Sequence, residues 1–488
     1  MNTAPRPARG IGPLIVVLVL GFSSLCVSLM QSLVLPIQSE LPTLLSTSAS
    51  NASWVVTATL LGGAVAMPMA GRLADIYGKK PILVGSAVLL LMGAFLCAVA
   101  DQFSLILAGR VLQGLAMGYV PVAISLVRDV APREKSNSAL AAVSAMMGVG
   151  GALGLPLAAW IVESFDWRML FWLATVLAAI MIILSAAILP SSTVASGARF
   201  DLGGAAGLSA GLVALLVGVS KGNDWGWGSP TTLALILGGA VVLLGWGYFE
   251  LRHDSPLVDL RTTAHLPVLM TNLAGLMVGF GMMAHAIVVP QLLQMPLAAG
   301  HGLGQTIMQT GLWMAPAGIT MLLVSPLSSM FLTRLGGRIT LAIGSGVIAS
   351  GYTFAVFMTD APWKLMVAAS VASAGVAIAY AAMPTLIMNN VPQSKASSSV
   401  GVNALMRSIG STVAGAVMAI MLTSNKVTVG DVSVAPQSAF QLCFVVGSAA
   451  ALLALALTLL IPRSKPMPQQ AQTTQQTGAL VGAISKES

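Results

Sequence analysis

Gly71-Arg72-Leu73-Ala74-Asp75-Ile76-Tyr77-Gly78-Lys79-Lys80 is a short basic interruption between two long apolar runs. Its two glycines bracket a tight turn, where a residue without Cβ permits close backbone approach. Asp75 stands among Arg72, Lys79 and Lys80, and a carboxylate in that place is also suited to face a helix N-terminus. A basic loop that merely happens to contain an aspartate accounts for the lysine pair, but not for the whole spacing. The flanking runs, near 52–71 and 81–99, are each long enough to cross a bilayer, which takes roughly 20 apolar residues.

Working outward from this turn, the same pattern recurs along the chain. Apolar runs near 13–36, 104–124, 137–161 and 169–189 complete a first set of six. Two more lie near 203–220 and 231–249, between breaker-rich stretches at Pro190–Gly197 and Gly222–Pro230. A last set of six lies near 266–289, 306–330, 339–358, 365–388, 398–422 and 437–461. The expectation is an all-α integral membrane protein with fourteen spans, arranged as six, two and six. In residues, this means an N-terminal segment 1–12, a six-helix bundle over 13–189 and an insert of two helices over 190–265. A second six-helix bundle over 266–461 and a disordered tail over 462–488 follow. Composition agrees. Of 488 residues 56% are hydrophobic and 8% charged, whereas a soluble domain carries about 25% charge.

Most of the 23 Lys and Arg residues then fall on the side of the two termini, with Arg168, Lys221, Lys364 and Lys426 opposite. The positive-inside rule places both termini in the cytoplasm. Trp54, Trp160, Trp167, Trp225, Trp227 and Trp363 fall at the outer ends of spans, where amphipathic rings settle at the interface. The net charge of +8 forms no single patch with interleaved aromatics, which argues against a nucleic-acid partner. Cys26, Cys97 and Cys443 lie far apart in apolar runs, without metal or redox spacing. The first run follows Arg6 and Arg9 but is too long for a signal sequence, so it reads as a retained helix.

Several polar side chains interrupt the apolar spans. Arg110, in Leu107-Ala108-Gly109-Arg110-Val111-Leu112-Gln113-Gly114, lies about 10 Å inside the membrane at helical rise. A charge there either serves a function or snorkels to the surface. Arg407, roughly 15 Å deep at the same rise, follows Asn403 by one turn. It is placed either to hold an anionic or hydrogen-bonding substrate or to pair between helices. Gln113 and Asn272 are further candidates for a cavity wall, as is Gln31. His285, late in its span, is a side chain that titrates near neutrality; it is read either as a proton carrier or as an ordinary interface histidine. Gly150 and Gly154 have the spacing that lets helices touch closely, and Pro156 is able to kink the same span. Many of the 27 methionines lie in spans, where they either adapt to varied apolar ligands or serve packing and lipid contact.

The 71–80 segment resembles the signature loop of the major facilitator superfamily, G-x-L-A-D-x-x-G-[RK]-[RK], with Ile76 where members often carry Arg. The resemblance implies that Gly71, Asp75, Gly78, Lys79 and Lys80 form a gate, Asp75 locking its cytoplasmic side. The run around Arg110 and Gln113 is similar to the family's R-x-x-Q-G motif, associated with proton coupling. Gly150, Gly154 and Pro156 occupy the place of the exporters' antiporter motif. Fourteen spans narrow the resemblance to the fourteen-helix drug:proton antiporters, the multidrug exporters. Trp54, Asp166-Trp167-Arg168, Asp224-Trp225-Gly226-Trp227 and the Asn403/Arg407 pair are further matches.

None of the 15 acidic residues falls in the middle of an expected span. The family's helix-1 motif has an aspartate nine residues before a proline, and counting back from Pro36 gives Val27, with Gln31 the nearest amide. The expected function is export of hydrophobic or amphiphilic small molecules, drugs among them, in exchange for protons. The proton gradient replaces any cofactor, and no G-x-x-x-x-G-K-[ST] loop offers ATP drive. The expected setting is a monomer, lipid-embedded in the cytoplasmic (inner) membrane of a bacterium, without enzymatic activity. A carrier of lipid or anionic natural product, or an uncoupled carrier, is the alternative within the fold. A non-transporting receptor or assembly partner is the alternative outside it.

Overall fold

The computed structural model describes residues 12–34, 37, 41–45, 47–191, 199–253, 255–424, 427–429 and 432–462. Arg6, Arg9, Pro36, Glu40 and the tail from Arg463 onward lie outside the described residues.

The first half contains α1 (Pro13–Ser32), α2 (Trp54–Tyr77), α3 (Lys79–Val99), α4 (Phe103–Val130), α5 (Ser136–Ser164) and α6 (Met169–Ile188). The inserted pair is α7 (Leu202–Trp225) and α8 (Pro230–Arg252). The second half begins with α9 (Leu266–Gln294) and continues as one long helix, Ile307–Phe357, that breaks at Gly336 (φ 78°, ψ 166°). That backbone is open almost only to glycine, and it divides the segment into two spans, α10 over 307–335 and α11 over 337–357. α12 (Pro362–Asn389), α13 (Ala396–Ser424) and α14 (Gln437–Leu459) complete the set of fourteen.

Two details differ from the sequence reading. A loop is expected between 330 and 339, but helix runs up to the glycine on both sides. The two polar arginines there, Arg334 and Arg338, are reached by helix because nothing but Gly336 breaks the backbone ladder. A small hairpin, Val427–Val429 antiparallel with Val432–Val434, precedes α14 and leaves the class all-α. The helices run past their apolar stretches as well, so Asp75, Asp129, Asp224 and Glu250 sit in last turns rather than in loops. Within α4, a turn of 3-10 helix at Ala116–Gly118 joins two α-helical pieces.

Close packing rests on small residues, as expected where lipid offers no hydrophobic contrast. α5 lies against α1, and a Cβ on Gly150 would strike the Leu25 carbonyl while one on Gly154 would strike the Ser32 hydroxyl. The opposite face brings Pro156 against Gly311 of α10, so α5 also touches the second half. α7 covers the seam where α2 meets α13, and α8 packs chiefly on α7. The outer face of α8 exposes Leu237, Val241, Leu244 and Tyr248 at helical spacing, a stripe suited to lipid. Cys26, Cys97 and Cys443 are free and buried.

Candidate functional site

The chain alternates direction span by span, which puts the 71–80 turn at one end of the molecule, here the basic end. Gly78 (φ 95°) makes the turn. Asp75 is buried at the end of α2, and its two oxygens accept the backbone N–H groups of Ser397 (3.2 Å) and Ser398 (2.9 Å). Those are free donors of the first turn of α13. A carboxylate from one half therefore caps a helix of the other, the partner type anticipated from charge alone. Gly71 permits the approach: a Cβ there would meet the Ser397 carbonyl oxygen, with Ser398 Cα at 2.8 Å.

More contacts close this end. Lys79 Nζ pairs with Asp129 at 2.5 Å, and Gln393 Nε2 donates to the other Asp129 oxygen at 3.5 Å. Arg128 donates to Asn389 (3.3 Å), Asn137 donates to Thr333 (3.4 Å), and the hydroxyls of Ser138 and Ser329 lie 2.6 Å apart. Lys395, just before α13, pairs with Asp259 of the loop after α8 at 2.5 Å. Burial works to raise the Asp259 carboxyl, but hydrogen bonds from Lys395 and Thr262 outweigh it and hold the group at about 2. Lys80 and Arg72 are half-buried beside this seam. A cleft of about 140 Å³ remains there, lined by Arg128, Asn137 and Asn389 among others.

The polar residues of the spans form separate groups. In the first half, Arg110 is fully buried: Nε donates to the Val55 carbonyl (2.9 Å) and Nη1 to Gln113 Oε1 (2.6 Å). Snorkelling is thereby excluded for Arg110. In the second half, Arg407 Nη1 donates to Asn403 Oδ1 (3.3 Å) and the guanidinium stacks 4.6 Å from the Tyr380 ring centre. Asn403 in turn donates to Asn272 Oδ1 (3.1 Å), and the buried Asn272 amide nitrogen has no partner among the described residues. Among the described residues neither arginine has a carboxylate within ion-pair distance. His285 is buried edge-on to Tyr352 (5.8 Å, 89°), with neither ring nitrogen hydrogen-bonded among the described residues. Gln31 is half-buried on α1.

The larger cavity, about 620 Å³, lies at the opposite end, between the halves. That volume suits a drug-sized ligand. The start of α2 supplies Ser53, Val56, Thr57 and Leu60, and the end of α7 supplies Ser220, Asn223 and Asp224. α9 adds Met283, Ile287, Gln291 and Gln294; α13 adds Ser411 and Thr412; Leu155 of α5 and Thr310 of α10 close it. Gln31, Arg110, Gln113, Asn272, His285, Asn403 and Arg407 are absent from this wall. Conversely, sequence reading passed over Ser220 and Asn223 and took Asp224 only as part of a family match before α8, because they stand at the end of an inserted helix beside a breaker-rich loop. The signal available was the polar run Ser220-Lys221-Gly222-Asn223-Asp224, unusual in length for a span end.

The Major Facilitator Superfamily model matches residues 20–415 and again 271–486. Multidrug resistance protein Stp of Mycobacterium tuberculosis is 27% identical over 377 residues, 76% of this chain and 68% of that protein. The uncharacterized MFS-type transporter YcnB of Bacillus subtilis is 23% identical over 436 residues, 86% of this chain and 89% of that protein. Among solved structures, the human organic anion transporter MFSD10 (TETRAN) superposes with a TM-score of 0.65 at 16% identity, covering 91% of this chain and 99% of that one. The proton:xylose symporter XylE gives 0.63 at 13% identity, covering 92% and 96%. A family match over most of the chain establishes that this protein belongs to the major facilitator superfamily of membrane transporters.

Proposed function

We propose that the protein exports small hydrophobic or amphiphilic molecules, drugs among them, in exchange for protons. Its halves, 13–189 and 266–461, would rock about a site between them, with the 71–80 end in the cytoplasm. The observation that carries this reading is the pairing of a closed seam at one end with a drug-sized cavity at the other. Such an arrangement is one half of an alternating-access cycle, open or opening away from the cytoplasm. The likeness to relatives named multidrug resistance proteins supports the substrate class. Arg110 with Gln113, and His285, are the candidates for proton coupling within the spans.

The test is flux in proteoliposomes. A lipophilic dye should be extruded when a proton gradient is imposed, and extrusion should stop when a protonophore collapses it. Extrusion indifferent to the protonophore would leave an uncoupled carrier, and no flux under any gradient would remove the transport reading for this substrate class. A second reading, export of an anionic natural product, rests on Arg407, Asn403 and Asn272, a buried donor cluster with no carboxylate partner among the described residues. It requires that organic anions compete with the dye and that Arg407→Ala abolish that competition.

A further inference from the structure

The inserted helices have an evident passive role, filling lipid-facing space beside the bundles. The end of α7 does more. Among the described lining residues of the larger cavity, Asp224 is the one ionisable side chain. Its carboxylate pairs with Lys221 Nζ at 3.2 Å; the lysine side chain is 1% exposed and the aspartate 35%. Lys221 is held from behind: it bonds the Ser53 hydroxyl and lies 4.9 Å from the Trp54 ring centre. Thr57 and Ser220 join hydroxyls at 3.2 Å, and Trp54 meets Trp225 at 6.3 Å, so α7 is tied to α2 at this level. The lysine is thus locked in the wall while the carboxylate it orients reaches into the cavity. Across the space stand Met283, Ile287 and Leu155, an apolar surface that adapts to varied shapes.

We propose that α7 is the charge-selecting wall of the substrate site, and that Asp224 receives the cationic head group of an amphiphile whose apolar body lies against α5 and α9. Lys221 is a positioning residue: it holds Asp224 toward the cavity and keeps its charge partly neutralised when the site is empty. An incoming cation then shares the carboxylate at low desolvation cost, because one face of Asp224 is already wet. Gln291 and Gln294 on the opposite rim accept or donate without adding charge. This inference rests on the export reading above and deepens it by naming the charge of the substrate and the element that reads it.

Two ions of matched shape and opposite charge, tetraphenylphosphonium and tetraphenylborate, test it by equilibrium binding to the full chain in detergent. The wild type should bind the cation in preference to the anion. Asp224→Asn should weaken cation binding by about tenfold or more while binding of the anion holds or improves, and Asp224→Glu should restore most of the loss. Because Cys26, Cys97 and Cys443 are all buried, Asn223→Cys offers one accessible thiol on the same wall, and saturating tetraphenylphosphonium should slow its reaction with a bulky maleimide. That second measurement stands even if Asp224→Asn does not fold. Cation binding that survives Asp224→Asn, or a labelling rate at Asn223→Cys indifferent to bound cation, overturns the assignment of α7 alone. A wild type that binds tetraphenylborate only overturns the cation assignment and leaves the export reading standing; one that binds neither ion overturns the export reading with it.

Discussion

Two guanidinium groups sit inside the spans without a carboxylate partner among the described residues. Taking such a charge out of water costs several kcal/mol. For Arg407 the compensation is one hydrogen bond to Asn403 and stacking on Tyr380, the latter worth about 0.5–2 kcal/mol. Packing alone does not justify that balance. Arg407→Met, which keeps the volume and removes the charge, should therefore leave the thermal midpoint unchanged or higher while flux falls by about tenfold or more, a barrier change near 1.4 kcal/mol. A parallel loss of midpoint and flux would mean a structural pair instead. Asp75 offers the converse case, because its two oxygens answer two helix-end donors. Asp75→Asn keeps the shape but loses the charge at the α13 terminus, about 1 kcal/mol, and should shift the halves toward opening at the basic end by roughly fivefold. Spin-label distances across Arg128 and Asn389 measure it. The partner of Asp75 was legible in its sequence setting, since a carboxylate amid basic groups at a helix end has few favourable environments. The setting of Asp224 was not, since a polar helix end reads the same whether it faces water or a cavity.

At the scale of elements, the insert touches the closed basic end as well as the cavity. Asp259 caps the short helix Leu260–Thr263 and pairs with Lys395 immediately before α13, the helix that Asp75 caps. The carboxyl stands at about 2 against an ordinary 3.8. A depressed folded value means stabilisation that is full above 3.8 and is lost as pH falls through about 2. Lys395→Met should thus lower the thermal midpoint at pH 5 and above, and the gap to wild type should close as pH falls toward about 2. A gap independent of pH would assign the effect to packing. The break at Gly336 teaches a related lesson. Apolar runs on either side were visible as separate spans, but the absence of a loop between them depends on one left-handed residue, whose conformation is a backbone choice that composition does not report.

For the whole molecule, closure at the basic end and the cavity at the far end form one proposition, because rigid halves cannot do both at both ends. Ser138 on α5 and Ser329 on α10 stand across the seam with hydroxyls 2.6 Å apart. The double variant Ser138→Cys, Ser329→Cys should cross-link on oxidation, stop flux and recover it on reduction; flux that continues in the oxidised protein would show that this seam does not open during transport. Span number, the six-two-six order and the glycine-bracketed turn were determined by the sequence itself. A bilayer demands long apolar helices, and that demand is written locally, residue after residue. The sites were decided elsewhere. Whether Arg110 meets Gln113, whether Asn272 finds Asn403, and which end of which helix lines the cavity all depend on residues far apart in the chain. Helices apolar on every side carry little record of which face meets which neighbour. Only tertiary packing, through contacts such as Thr57 with Ser220 and Trp54 with Trp225, brought the inserted α7 to the cavity wall and left the buried arginines away from it.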